Sequence, residues 1–422
     1  TKWYYPDDTP HFYQPYCSML HALYGHPQSE GWWELHADAK VKEKGFVAIP
    51  IWRGCSWHPH RPIFLIIYVD DFKLSGPTKN LAAAWKMLQA EIDMDALEPF
   101  GLFLGCKHII HEKTLQGAPR KVKMMEYDVQ GYLEKALKDY CDAIGITVQK
   151  MSSKPTPFGV DQMGPDVNAP ITDGPWKECP WCRGRFDADA FGEGTGGKVS
   201  KPVKQLLSED QAQQLAKDEA GGVMGELAMS VLMKILCAAR YARRDLLCAV
   251  AKLAQKILKS TPQCDKSLHR LMAYVKYSLT YRQVGWIGDT LDDLTLHLYS
   301  DADFAGCGET KRSTAGIHLV VLGSWSCFPI NGQSKRQGSV SHSTPEAEIV
   351  AADHGVFKEG IPALDLWEVL TGSDQSDLVF HEDNETMIRV IQTGRNPTMR
   401  HSNRTHGVDI SAMKEQYDRK MI

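Results

Sequence analysis

Residues 294–303 read Leu-Thr-Leu-His-Leu-Tyr-Ser-Asp-Ala-Asp. The alternation of Leu294, Leu296 and Leu298 specifies a strand with one buried face, and that strand runs directly into carboxylates. An unpaired carboxylate is costly in a core, so Asp301 is expected at the strand end, turned away from the leucines. Ile317, Leu319 and Val321 alternate in a second strand, Gly323 marks a turn, and residues 324–328 return as a third, giving an antiparallel meander.

Further acids follow at element ends. Thr344-Pro345 has the form of an N-cap with proline in the first helical turn, opening a helix that carries Glu346 and Glu348. Leu378-Val379-Phe380 is a strand ending at His381-Glu382-Asp383, after which Asn384 or Asp383 caps a helix that Gly394 terminates. Val408-Asp409-Ile410 enters a last helix. Asp301, Glu348, Asp383 and Asp409 thus arise where side chains can converge at one sheet edge. Two carboxylates about 4 Å apart repel by about 4 kcal/mol at an effective dielectric of about 20, so convergence calls for a cation. Oxygen ligands select Mg²⁺ or Mn²⁺, and two such ions suit phosphodiester cleavage. Taken singly, each acid is more often a surface residue or a helix cap, and Glu346 could serve the helix dipole alone.

The net charge of −4 argues against a protein that grips nucleic acid by bulk electrostatics. Local basic residues stand near the proposed site instead: Lys311-Arg312, Lys335-Arg336, and the stretch from Arg400 to Arg404, followed by His406. We take Lys311, Arg312, Lys335, Arg336, Arg404 and His406 as candidate substrate contacts, against the alternative of a solvated basic surface. The sequence has no apolar run of about 18 residues, so no membrane span is expected. It starts at Thr1 without a charged-then-apolar leader, so a fragment or processed product without a secretory signal is expected. The 11 cysteines lack framework spacing, which favours a reducing, intracellular compartment, cytoplasmic or nuclear. Cys179-Pro-Trp-Cys182 has the spacing of half a zinc site or a redox pair, but no further ligands complete it, and two unpaired thiols are the simpler reading.

Upstream, Ile63 to Val69 has strand character, and Asn80 is placed to cap a helix with Leu81, Ala84, Trp85, Leu88 and Ile92 on one face. A second amphipathic helix carries Tyr132, Leu133, Ala136, Leu137 and Tyr140. A Gly/Asp/Pro-rich passage breaks the pattern until about Lys204. Helices resume from Ser208 to Thr280, with Leu246, Ala249, Val250 and Leu253 on one face and Leu271, Tyr274, Val275 and Leu279 on another.

Five blocks occur in order: Tyr-Ser-Asp-Ala-Asp-Phe-Ala-Gly (299–306), Lys-Arg-Ser-Thr-Ala-Gly (311–316), Ser-Lys-Arg-Gln (334–337), Ser-Thr-Pro-Glu-Ala-Glu (343–348) and Asp-Asn-Glu-Thr (383–386). Together they closely resemble the ribonuclease H domain of copia-type LTR retrotransposons. The resemblance implies that Asp301, Glu348 and Asp383 are catalytic metal ligands, with Asp409 a fourth. Glu348 is preferred to Glu346 because Glu-Ile-Val-Ala-Ala aligns with the family's glutamate-led helix; Glu346 stays open. The family's terminal aspartate follows His-Ile, whereas Gly407-Val408 precedes Asp409 here and His406 is displaced by one.

Ala22-Leu23-Tyr24-Gly25, residues 64–76 with Tyr68-Val69-Asp70-Asp71, and Phe103-Leu104-Gly105 resemble a copia-type reverse transcriptase, and residues 239–250 resemble its connection to the nuclease. Asp70 and Asp71 are then candidate metal ligands in a hairpin turn, although aspartates are common turn residues. The family's first catalytic aspartate has no recognisable counterpart before Ala22, and Gly31 stands where the family commonly has arginine, so no DNA synthesis is expected.

The expected fold class is α/β (α+β), with a reverse-transcriptase palm-like region over 1–158, a linker or insertion over 159–207, a helical connection over 208–290, and a ribonuclease H-like mixed sheet flanked by helices over 291–422. The resemblance implies a nuclease hydrolysing the RNA strand of RNA/DNA hybrids with two Mg²⁺ or Mn²⁺ ions, partnered by other retroelement polyprotein products. The alternative is a catalytically silent retroelement relic that at most binds nucleic acid; Gly407 and Pro362, in a region the family keeps helical, favour it.

Overall fold

The structure is a computed structural model describing residues 25–158, 176–178, 185–187, 225–307, 310–373, 377–395, 399 and 401–419. The Cys179–Cys182 pair, Arg400 and most of the expected linker lie outside them. The chain divides into two compact units, Thr1–Pro99 with Asp365–Asp374, and Phe100–Leu364 with Gln375–Ile422.

The first unit holds helix α1 (Ser29–Glu43), strands β1 (Val47–Ala48), β2 (Cys55–His58), β3 (Ile63–Tyr68) and β4 (Asp71–Ser75), and helix α2 (Thr78–Gln89). The four strands form one antiparallel sheet in sequence order. Ile63 and Leu65 alternate inward and meet Val41, Phe46, Ala84, Leu88 and Ile92 in the core. The expected helix face is the buried one, but the cap differs. Pro77 precedes the helix, and Asn80, inside it, donates from Nδ2 to the Arg61 carbonyl at 2.7 Å. Proline takes the cap because its fixed φ, near −58° here, already leads into the first turn.

The second unit is built on an eight-stranded sheet and a helical layer. Its elements are β5 (Leu102–Phe103), β6 (Cys106–Lys113), β7 (Val122–Asp128), α3 (Gln130–Ala143), the isolated pair β8 (Trp176–Glu178) and β9 (Arg185–Asp187), α4 (Gly225–Tyr241), α5 (Leu247–Ala254), α6 (Pro262–Tyr277), β10 (Gln283–Ile287), β11 (Thr295–Asp303), β12 (Thr314–Gly323), β13 (Ser326–Arg336), α7 (Thr344–Gly355), the first turn of α8 (Ile361–Thr371), whose residues from Asp365 on belong to the first unit, β14 (Leu378–His381), α9 (Glu385–Thr393), α10 (Ser402–His406) and α11 (Ile410–Asp418). The sheet order is β14-β11-β12-β13-β10-β7-β6-β5, antiparallel except for β11 with β14. Strands on either side of residues 158 and 290 therefore share one sheet. Leu133, Leu137 and Tyr140 of α3 pack with Leu232, Ile235, Val250, Leu271 and Val275 in a single helical core.

The β11–β12–β13 meander forms as its alternation requires, with a bulge at Leu319/Val320. Helix α7 lies on the face carrying Ala302 and Ala315, where Ala347 and Ala351 are buried against them and the small side chains permit close approach. Its cap is Ser343, one residue before the expected Thr344, and Pro345 falls in the first turn. A π-helical turn, Val356–Gly360, joins α7 to α8, so Pro362 sits in the first turn of the next helix and the helical run continues through it. Among the described residues no helix is long and apolar enough to cross a membrane.

Candidate functional site

Strand β11 outruns its parallel neighbour. Pairing with β14 ends at Tyr299↔His381, while β11 continues to Asp303. Along the released edge the backbone N–H of Ala302 donates to the Glu348 carboxylate, and Ser300 Oγ donates to Glu382 Oε2 at 3.3 Å. Glu348 is only 4% exposed, and its Oε2 is buried without a hydrogen-bond partner among the described residues. Burial, then the neighbouring carboxylates of Glu382, Asp301 and Asp383, push the Glu348 carboxyl up to about 7. The strand ends and the helix therefore do bring Asp301, Glu348 and Asp383 into one electrostatic neighbourhood. Asp301 and Asp383 are exposed, on the solvent side of it.

Glu382 is the member that the motif did not identify. Strand alternation was the available signal: it is in phase with Leu378 and Phe380, and so turns with them toward Ser300. Burial raises its carboxyl above the usual range, and the N–H of Asn384, donating at 3.0 Å, opposes that shift. It also walls a cavity of about 250 Å³ with Phe380, Met387, Ile391 and Tyr417. Asn384 caps α9 by accepting the Met387 N–H at 3.0 Å, and Gly394, at φ 66°, ends the helix in the left-handed conformation that glycine adopts without strain.

Glu346 is engaged elsewhere. Its side chain, 2% exposed, accepts the His342 N–H at 2.8 Å and ring N–H donors from His401 at 3.0 Å and His406 at 3.1 Å. The His406 ring is itself 1% exposed, so the candidate substrate contact lies inside this clamp. Asp409 caps α11, accepting the Ser411 N–H at 2.9 Å, and its charge acts on Asp353, whose carboxyl is raised mainly by burial. Asp409 is absent from the groups that perturb Glu348.

Lys311 is exposed on the β11–β12 connection at φ 55°, with Arg312 partly buried beside it. Lys335 and Arg336 end β13 opposite Ala315 and Thr314, at the same end of the sheet as Asp301. Lys335 lies on the α7 side, where its charge lowers His354, a shift due first to burial. Arg404 is exposed on α10. Asp70 and Asp71 are exposed at the β3–β4 hairpin of the other compact unit, where Val69 takes φ 56° and its carbonyl accepts the Trp33 indole N–H at 2.5 Å.

Among the described residues no three His, Cys, Asp or Glu side chains are already closed into a metal-holding group. The orphaned Oε2 of Glu348, amid like charges, is nevertheless what a divalent cation would neutralise, and the all-oxygen donor set suits Mg²⁺ or Mn²⁺.

No protein-family model matches the chain. It is 24% identical over 402 residues to the retrovirus-related Pol polyprotein from transposon TNT 1-94 of Nicotiana tabacum, covering 93% of this chain and 24% of that protein. Over 108 residues, 26% of this chain, it is 35% identical to the Pol polyprotein from transposon RE1 and 36% identical to that from RE2, both of Arabidopsis thaliana, covering 7% of each. The chain thus spans about a quarter or less of the length of these relatives. This likeness runs through nearly its whole length, and the chain's homologues are retrovirus-related Pol polyproteins of copia-type transposons.

Proposed function

We propose that the second compact unit is a ribonuclease H-type endonuclease that hydrolyses the RNA strand of RNA/DNA hybrids, with Asp301, Glu348 and Asp383 holding two Mg²⁺ or Mn²⁺ ions. The observation that carries this reading is the buried, unpartnered Oε2 of Glu348, set among Glu382, Asp301 and Asp383. Bound cations of this kind supply an activated water and stabilise the leaving 3′ oxygen. The chain's own contribution is placement. The Ala302 N–H fixes one side of the Glu348 carboxylate, the Asn384 cap fixes the strand end that carries Asp383, and the β11–β12 pairing fixes Asp301. Lys311, Arg312, Lys335, Arg336 and Arg404 serve as contacts for phosphates, and 2′-hydroxyls distinguish the RNA strand. Other retroelement polyprotein products are the proposed partners.

The use of Asp409 as a helix cap, accepting the Ser411 N–H, favours a second reading: a folded but catalytically silent relic that binds nucleic acid. Cleavage of a labelled RNA/DNA hybrid by the purified chain separates the two. The nuclease reading expects Mg²⁺-dependent cutting of the RNA strand that Asp301→Asn abolishes; no cutting, or equal cutting by the variant, overturns it.

A further inference from the structure

The sheet carries a second organised row beside the carboxylates. Register places Gly332 of β13, His318 of β12, Tyr299 of β11 and His381 of β14 side by side across four strands. All face away from α7, because Leu298, Ile317 and Leu319 alternate toward it. Tyr299 and Asp301 are two residues apart on one strand, so this row and the Asp301 row are about 7 Å apart on one face.

The rings of the row pack on one another. His381 and Tyr299 stack at 4.1 Å with an interplanar angle of 4°, and His297 stacks on His381 at 5.1 Å. A 2.8 Å bond between His297 Nδ1 and His381 Nε2 and another between Thr295 Oγ1 and His297 Nε2 brace the stack. Tyr299 is 36% exposed, and its hydroxyl has no hydrogen-bond partner among the described residues.

The place over Gly332 is filled by the Arg244 side chain from the helical layer. A Cβ at Gly332 would stand 2.8 Å from Arg244 Cδ, so glycine makes the room. His318 and Tyr127 both feel the Arg244 charge. Neighbouring Arg243 is fully employed, bonding to Asp245, the Ser278 carbonyl and Ser278 Oγ. Arg244 is not: its Nε and Nη1 are buried without partners among the described residues, although the residue keeps some exposure. A guanidinium left so has surrendered its water for nothing in return, and an anion is the ligand that restores the balance.

We propose that Arg244 and Tyr299 are substrate-positioning residues that bind backbone phosphates of the nucleic-acid strand lying on the Asp301 face. Gly332, beneath Arg244, and Tyr299 are two strand spacings apart, about 10 Å along the row. Arg244 supplies the charge, whereas Tyr299 supplies a neutral hydroxyl preset by its ring stack, which reduces the ordering cost of binding. The segment joining the polymerase-like and nuclease-like parts of the sequence thereby contributes directly to the nuclease surface. This inference rests on the nucleic-acid reading above.

The test is binding of a fluorescein-labelled RNA/DNA hybrid to the full chain in EDTA, followed by anisotropy across a salt series, so that cleavage plays no part. Tyr299→Phe removes only the hydroxyl and is expected to weaken binding about 3- to 10-fold without changing the salt slope. Arg244→Met is expected to weaken binding and to lower the slope by about 1. Gly332→Ala, which displaces Arg244 while keeping its charge, is expected to weaken binding as well, and with Tyr299→Phe it decides the matter if Arg244→Met does not fold. Wild-type affinity and slope in Tyr299→Phe and Gly332→Ala overturn this proposal alone. Absence of hybrid binding by the wild-type chain overturns the functional reading and this one together.

Discussion

His406 Nε2 donates to Glu346 Oε1 at 3.1 Å, joining α10 to the first turn of α7 across 60 residues of sequence. His401 donates to the same oxygen at 3.0 Å, and both Glu346 and the His406 ring are almost fully buried. Removing the carboxylate leaves buried donors unsatisfied, so Glu346→Ala is expected to cost about 2–4 kcal/mol in urea unfolding. Hydrogen exchange should show protection lost first at residues 401–406. Unchanged stability would mean that the clamp does not hold α10.

Two residues along the same helix, the expectation reverses. The Glu348 carboxyl titrates at about 7 against an ordinary value of 4.5, so its ionised form opposes folding. A raised carboxylate contributes stability below pH 4.5 that is lost as pH rises through 7. Glu348→Gln should therefore equal the wild type near pH 4 and exceed it by about 1–3 kcal/mol at pH 8, with both measured in EDTA. Equal stability at pH 8 would show that the ionised Glu348 carboxylate does not oppose folding.

The contrast between these glutamates explains what the sequence could and could not reveal. The meander was legible because Leu294, Leu296, Leu298 and Ile317, Leu319, Val321 repeat with the period of a strand, and Asn384 and Gly394 are cap residues by chemistry. Glu346 and Glu348 could not be separated physically, because the histidines that occupy Glu346 arrive from a distant segment. Glu382 could have been found by extending the alternation of β14 one residue past its apolar run. The joined sheet was not legible. Residues 283–287 pair with residues 123–127 on one side and meet β13 on the other, and no local pattern encodes a partner that remote.

Cation binding should be visible without turnover. At pH 8, Mg²⁺ at roughly ten times its dissociation constant is expected to stabilise the wild type by about 1.4 kcal/mol. Asp301→Asn should lose most of that gain, because it removes a ligand from the neighbourhood of Glu348. A thermal shift of equal size in the variant would locate the binding elsewhere, for instance at exposed Asp70 and Asp71 of the other compact unit.

The junction between the two halves of the eight-stranded sheet depends on a small buried stitch. Asp289, 3% exposed, accepts the Trp325 N–H at 2.7 Å and the Ser326 hydroxyl at 2.6 Å, while Ser326 Oγ accepts the N–H groups of Gly288 at 2.9 Å and Asp289 at 3.1 Å. Gly285 and Gly288 keep this corner close: a Cβ at either would meet Phe328 or Trp325 within 3 Å. Asp289→Ala orphans the Ser326 hydroxyl and the Trp325 N–H and is expected to cost about 2–4 kcal/mol. Because β10 is the strand that links β7 to β13, the loss should appear as faster hydrogen exchange in β10 and the first residues of β13, with the Tyr299–His381 stack preserved. Exchange that accelerates uniformly through β11–β14 instead would make the sheet one cooperative unit from end to end.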